Sequence, residues 1–152
     1  MKKNKKLPVL SFENYFSSDV TALGYMTLFF PIKRIKDLKI LFSGKFSKGN
    51  LVLKEKYQDN NTKVLRIWSF KKTSNNDYVG KENNVKGDII VSVNENKLNM
   101  HYKFKTNYKK FFFSVNVQDS MYLVDKNTLI NKTVISKYGL RIAESFLVYK
   151  KS

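Results

Sequence analysis

The feature that most constrains this chain is the stretch LVLKEKYQDNNTKVLRIWSF, residues 51–70, where apolar and polar residues alternate on both sides of a short polar turn. Alternation of this kind marks strands with one buried face, because successive strand side chains point to opposite sides. Asn60 and Asn61 tolerate positive φ and form a two-residue turn. That turn sets Asp59 opposite Thr62, Tyr57 opposite Val64, Glu55 opposite Arg66 and Leu53 opposite Trp68. The shared face is Leu51, Leu53, Glu55, Tyr57, Val64, Arg66, Trp68 and Phe70, with Lys54 and Lys56 on the reverse. An acid and a guanidinium therefore stand where aliphatic residues would be expected.

From about Thr21 the pattern recurs. Runs rich in Val, Ile, Phe and Tyr, divided by Asn, Asp, Gly and Ser, predict strands near 21–30, 36–46, 50–57, 64–71, 77–82, 86–94, 97–105, 110–119, 120–125, 128–136 and 141–150, some of them merging. The segment DIIVSVNENKLNMHYKF turns at Glu95-Asn96, which pairs Val93 with Leu98, Val91 with Met100 and Ile89 with Tyr102. The only histidine, His101, then falls on the outer face, away from metal or general-base work. A third turn lies around Lys126-Asn127. Ahead of the strands, Ser11 can cap a short helix whose Phe12, Tyr15 and Phe16 share one face, a packed lid.

Consecutive hairpins with one apolar face each need closure or a second layer. The sequence predicts an all-β fold, an antiparallel up-and-down β-barrel of the lipocalin-like kind with a short N-terminal helix as cap. A two-sheet sandwich is the alternative. The expected organisation is a basic tail over residues 1–10 and a single barrel domain over 11–152.

The net charge of +17 raises anionic membrane or nucleic acid as partners. The excess is almost all lysine, however, with Arg34, Arg66 and Arg141 the only arginines. Arg is the preferred reader of phosphates and bases, so its scarcity argues against nucleic acid. Lys, Asn and Ile enrichment with little Arg is what AT-rich coding produces. With no cysteine, disulfides, thiolate chemistry, Cys-ligated metals and a lipoprotein anchor are excluded. The start MKKNKKLPVLSFEN is basic, but its apolar part is short and broken by Pro8, unlike a signal peptide. The expectation is a cytoplasmic protein, in peripheral contact with membrane through its Lys-rich start.

Alternation also directs Phe111, Phe113, Val115, Val117 and Asp119 to one side of their strand, and Ile142, Glu144, Phe146 and Val148 to one side of theirs. Glu55, Asp119 and Glu144 thus fall on faces otherwise apolar, and buried carboxylates are rare unless paired. Arg66 is the natural partner of Glu55, through two parallel hydrogen bonds. The pair reads either as a structural ion pair fixing strand register or as the polar end of a ligand pocket. No phosphate loop or nucleophile elbow is present, and the residues suggest no metal ligands, cofactor or catalytic set.

Several segments, in order, carry a resemblance. LVLKEKYQDNNTKVLRIWSF, YVGKENNVKGD and VQDSMYLVDKNTLINKTVISKYGLRIAESFLVYKK together resemble the domain-of-unknown-function 3833 family of bacterial proteins, from about Tyr15 to Lys150. The resemblance implies a polar set at Glu55, Arg66, Trp68, Asp119, Tyr122, Asn131, Lys137 and Glu144. Asn83 and Asn84 stand where the family usually has acidic residues, and QDSM where it favours a double Asp followed by Trp.

The expected function is a lipocalin-like barrel holding a small amphipathic or lipid-like ligand. Arg66 with Glu55 would orient its polar end, and Tyr57, Trp68, Tyr102, Phe113 and Tyr122 would line the apolar part, with Asp119, Asn131 and Glu144 completing the site. Two alternatives stay open. One is an isomerase or cyclase using interior carboxylates; the other is a basic scaffold binding anionic membrane or nucleic acid through Lys2–Lys6, Lys33–Lys39 or Lys103–Lys110.

Overall fold

Asn60 and Asn61 take positive φ, 48° and 67°, and the hairpin they close keeps the expected register in every pair from Asp59↔Thr62 to Leu53↔Trp68. This hairpin belongs to a computed structural model that describes residues 6–152. A short helix, α1 (Phe12–Phe16), precedes strands β1 (Asp19–Leu28), β2 (Arg34–Ser47), β3 (Asn50–Asp59), β4 (Thr62–Lys72), β5 (Asp77–Lys81), β6 (Val85–Asn94), β7 (Lys97–Tyr108), β8 (Phe111–Asp125), β9 (Thr128–Lys137) and β10 (Leu140–Lys151). Each strand pairs antiparallel with its sequence neighbours, and β10 returns to pair with β1, from Val20↔Lys151 to Leu28↔Ala143. The result is a closed up-and-down, lipocalin-like barrel, in which closure satisfies the backbone groups that an open sheet leaves at its edges.

Two sequence expectations change in detail. The predicted strands 110–119 and 120–125 are one strand, β8, because the alternation of inner Asp119, Met121 and Leu123 runs through without a break. The β6–β7 hairpin turns at Glu95 (φ 55°) and pairs Val93↔Leu98 and Val91↔Met100 as expected. Past Ile90↔His101, a bulge with Gly87 at φ 77° shifts the ladder to Lys86↔Lys103 and Val85↔Phe104, so Ile89 and Tyr102 are not paired.

The helix closes one end. Ser11 caps it, accepting from the Asn14 amide at 3.4 Å, and Phe12, Tyr15 and Phe16 are buried. Their rings meet the barrel edge to face, Phe12 against Phe70 and Tyr78 at 5.0 Å each and Phe16 against Phe42 at 6.0 Å. Burying rings of this size stabilises by about 1.5–3 kcal/mol each. Polar ties fix the helix in place: Tyr15 Oη donates to the carbonyls of Asn127 (2.9 Å) and Tyr149 (3.2 Å). The Glu13 carboxylate accepts from Lys72 Nζ at 2.6 Å and from the Tyr78 hydroxyl. Gly44 lets the helix approach this closely, since a Cβ there would collide with the Phe16 carbonyl oxygen. The opposite end carries the loops around residues 29–33, 60–61, 82–84, 109–110 and 138–139, with no helix of the described residues over them.

Candidate functional site: a polar cavity in the barrel

Six elements meet at a cavity of about 60 Å³ just above the helix. Phe12 and Phe16 form its floor; Leu53 and Glu55 from β3, Trp68 from β4, Tyr102 from β7, Asp119 and Met121 from β8 and Tyr149 from β10 form its walls. Glu55, Tyr102 and Asp119 lie inside the barrel yet are half-buried, not buried, because the surface they keep faces this space. At roughly 30 Å³ per molecule, the cavity has room for about two waters or for one end of a larger ligand. A whole drug-sized ligand needs several hundred Å³.

Glu55 faces Arg66 directly across the ladder, and both point inward. The expected double hydrogen bond between them does not form. Arg66 reaches toward the open end, where its Nε and Nη2 both donate to Tyr57 Oη at 3.3 Å. Its guanidinium lies 4.7 Å from the Phe104 ring centre, and Nη1 is 3.6 Å from the carboxylate of Glu82, whose side chain is only 3% exposed. Glu82 just beyond β5 takes the role expected of Glu55, because the long Arg side chain extends past its cross-strand neighbour.

Among the described residues Glu55 has no ion pair. Burial drives its carboxyl up to about 7, the Arg66 charge and the Trp68 N–H offsetting this only in part and the Asp119 charge adding to it. Trp68 Nε1 is itself buried and has no hydrogen-bond partner among the described residues, so it favours the Glu55 anion without reaching full bonding geometry. Across the cavity, burial also raises Asp119 above the usual carboxylate range, against hydrogen bonds from Thr133 and Asn131. Thr133 Oγ1 donates to Asp119, and Asn131 Nδ2 lies 3.4 Å from the same oxygen. Burial and the two nearby carboxylates hold the Tyr102 and Tyr149 phenols protonated, well above their ordinary range.

Of the residues expected at the site, Glu55, Trp68, Tyr102 and Asp119 converge on the cavity, with Asn131 buried behind Asp119. Tyr57 and Phe113 face inward nearer the open end, Phe113 opposite Thr106. Glu144 and Tyr122 point outward, contrary to expectation. Glu144 sits opposite Val134 and bonds Arg141 at 2.8 Å, while Tyr122 is 39% exposed with Lys97 over its ring at 5.3 Å. On β10 the inner set is Ala143, Ser145, Leu147 and Tyr149, two small residues, one aliphatic and one phenol. The larger aliphatics that suggested the opposite orientation face out; Val148 is on the exterior. Tyr149, Thr133 and Glu82 were missed. Glu82 continues the inner parity of Tyr78 and Gly80, and that alternation was the available signal.

The fold and this interior define a lipocalin-like barrel with a small, mainly apolar cavity onto which two carboxyl groups, Glu55 and Asp119, face. The model for the family described as Protein of unknown function (DUF3833) matches residues 1–151, and the chain belongs to that family. Among solved structures it is similar to an S-type phycobiliprotein lyase, CPES, from Guillardia theta, with a TM-score of 0.66 and 6% sequence identity over 93% of this chain and 90% of that one. At that identity the likeness is one of fold. No curated protein sequence matches the chain.

Proposed function

We propose that the barrel binds a small amphipathic molecule, whose polar end enters the cavity among Glu55, Asp119, Trp68 and Tyr102 while its apolar part lies toward the open end beside Tyr57, Phe104 and Phe113. One observation carries the reading: Trp68 Nε1 is a buried donor with no partner among the described residues, beside a carboxyl with no ion pair among them, in a largely aromatic and aliphatic interior. An unmet buried donor costs about 1–3 kcal/mol, which a ligand acceptor would recover. The similar architecture of the phycobiliprotein lyase supports a small-molecule role for the fold. A 60 Å³ space limits the enclosed part to a head group of a few atoms.

The test is native mass spectrometry of the purified protein, with solvent extraction of any bound species. A co-purifying amphiphile, displaced or weakened about tenfold by Glu55→Gln with Trp68→Phe, is the expected result. Protein that carries nothing and takes up no fluorescent fatty-acid probe overturns the proposal.

A second reading is favoured by the neutral-range carboxyl alone. In it, Glu55 moves a proton within an isomerase- or cyclase-like reaction, for which a buried carboxyl at about 7 is suited. Carbon NMR titration of the Glu55 carboxyl decides its premise; an ordinary carboxylate value removes it.

A further inference from the structure

The loops at the open end fall into two groups. In barrel order the hairpin ends of β1–β2, β9–β10 and β7–β8 are successive, and those of β3–β4 and β5–β6 complete the rim. The last two are polar, Asp59-Asn60-Asn61-Thr62 and Glu82-Asn83-Asn84.

The other three tips are apolar and exposed. The β1–β2 loop presents Phe29, Phe30 and Ile32, the last 74% exposed. The β7–β8 end presents Tyr108, Phe111 and Phe112, the last 85% exposed. The β9–β10 end presents Tyr138, 88% exposed, and Leu140. Side chains of this size gain by leaving water, and nothing in the barrel covers them.

Cations flank every tip. Segments 29–35, 108–112 and 137–141 contain Lys33, Arg34, Lys109, Lys110 and Lys137 and no acidic residue, and also Arg141, which is paired with Glu144. Lys109 lies 5.4 Å from the Tyr108 ring centre and Lys137 4.8 Å from that of Tyr138. Aromatic and aliphatic tips bordered by Lys and Arg match the two layers of an anionic bilayer surface, head-group phosphate outside and acyl chains beneath. A second copy fits poorly, because two such arcs would bring like charges together. A nucleic acid would leave Ile32 and Leu140 without an apolar partner.

We propose that this arc of the rim is the face by which the protein docks on an anionic phospholipid bilayer, with Phe30, Ile32, Phe111, Phe112, Tyr138 and Leu140 entering the interface. It is a different surface from the Lys-rich start, of which Met1–Lys5 lie outside the described residues. The proposal does not depend on what the cavity holds.

Co-sedimentation with phosphatidylcholine vesicles containing or lacking phosphatidylglycerol tests it. The chain should bind the anionic vesicles, and Phe111→Ser with Phe112→Ser should weaken that binding about tenfold. Lys109→Glu with Lys110→Glu should weaken it by at least as much, whereas Lys54→Glu with Lys56→Glu, the same charge change on the outer face of β3, should stay within about twofold of wild type. All six positions are exposed, and circular dichroism checks that each variant is folded. Undiminished binding by the phenylalanine variant, equal loss from the two charge reversals, or a concentration-dependent dimer that the phenylalanine variant abolishes would each overturn the proposal.

Discussion

Arg66 stands directly opposite Glu55 on adjacent strands, yet its ion pair is with Glu82, 3.6 Å away and on the far side of β5. This exchange of partners fixes the chemistry of the interior. Glu82 has the guanidinium beside it, and Glu55 has no ion pair among the described residues.

Removing the guanidinium should therefore leave the Glu82 carboxylate without the one ion pair it makes among the described residues. Arg66→Met is expected to cost about 2–3 kcal/mol, somewhat below the range for fully enclosed pairs because Arg66 keeps some contact with solvent. Urea denaturation measures it. Combining Arg66→Met with Glu82→Gln should recover about half of the loss, as no unmatched charge then remains.

Glu55 predicts a dependence on pH with a definite sign. Its carboxyl is raised from 4.5 to about 7, so the folded chain keeps a proton that the unfolded chain has released. The stability that this proton contributes is fully present below about pH 4.5 and is lost as pH rises through 7, by up to about 3 kcal/mol. Glu55→Gln should flatten that slope. Trp68, the single tryptophan, lines the same cavity, and its fluorescence should titrate with a midpoint near 7 in wild type and not in the variant.

Glu13 gives the opposite dependence on the acid side. Burial opposes its ionisation, but hydrogen bonds from Lys72 and Tyr78 and the Lys72 charge outweigh this and hold it below its ordinary 4.5. Its contribution is present above 4.5 and lost as pH falls through the lowered value. Tyr78→Phe should cost about 1.5–2 kcal/mol, one hydrogen bond to a charged acceptor, and should shift acid unfolding to higher pH. Thermal melts at a series of pH values read both effects.

Gly44 sets how far the helix enters the barrel. Gly44→Ala places a methyl group against the Phe16 carbonyl oxygen, a backbone atom that cannot rotate away. A loss of about 2–4 kcal/mol is expected, with faster hydrogen exchange at Phe12–Phe16 than in the strands. Gly49, where an added Cβ meets nothing but φ is 78°, should cost only the smaller penalty of its left-handed conformation.

The strands, the three tight hairpins and the helical cap are legible because each rests on local signals: alternation, short polar turns such as Asn60-Asn61 at positive φ, and a Ser cap before aromatics at helical spacing. Half of the cavity was legible for the same reason, since Glu55, Trp68 and Asp119 interrupt or enrich apolar faces whose turns are unambiguous. The sequence of β10 suggests the opposite faces, because hydrophobicity on the exterior of this barrel, at Val148 and Phe146, rivals that of the interior, where Ala143 is small and Ser145 polar. The partner of Arg66 was not legible from its hairpin. Cross-strand position specifies which backbone lies opposite, while the reach of a long side chain depends on elements remote in sequence.

The seam between β1 and β10 has a further consequence. It joins Val20 to Lys151, so the ring of hydrogen bonds closes only when the first strand meets the last. The other strand pairings join neighbours in sequence, so this seam carries the largest loop-closure cost of the fold, and a nascent chain still lacking β10 would present two unprotected strands, at β1 and β9, to any neighbour able to extend a sheet.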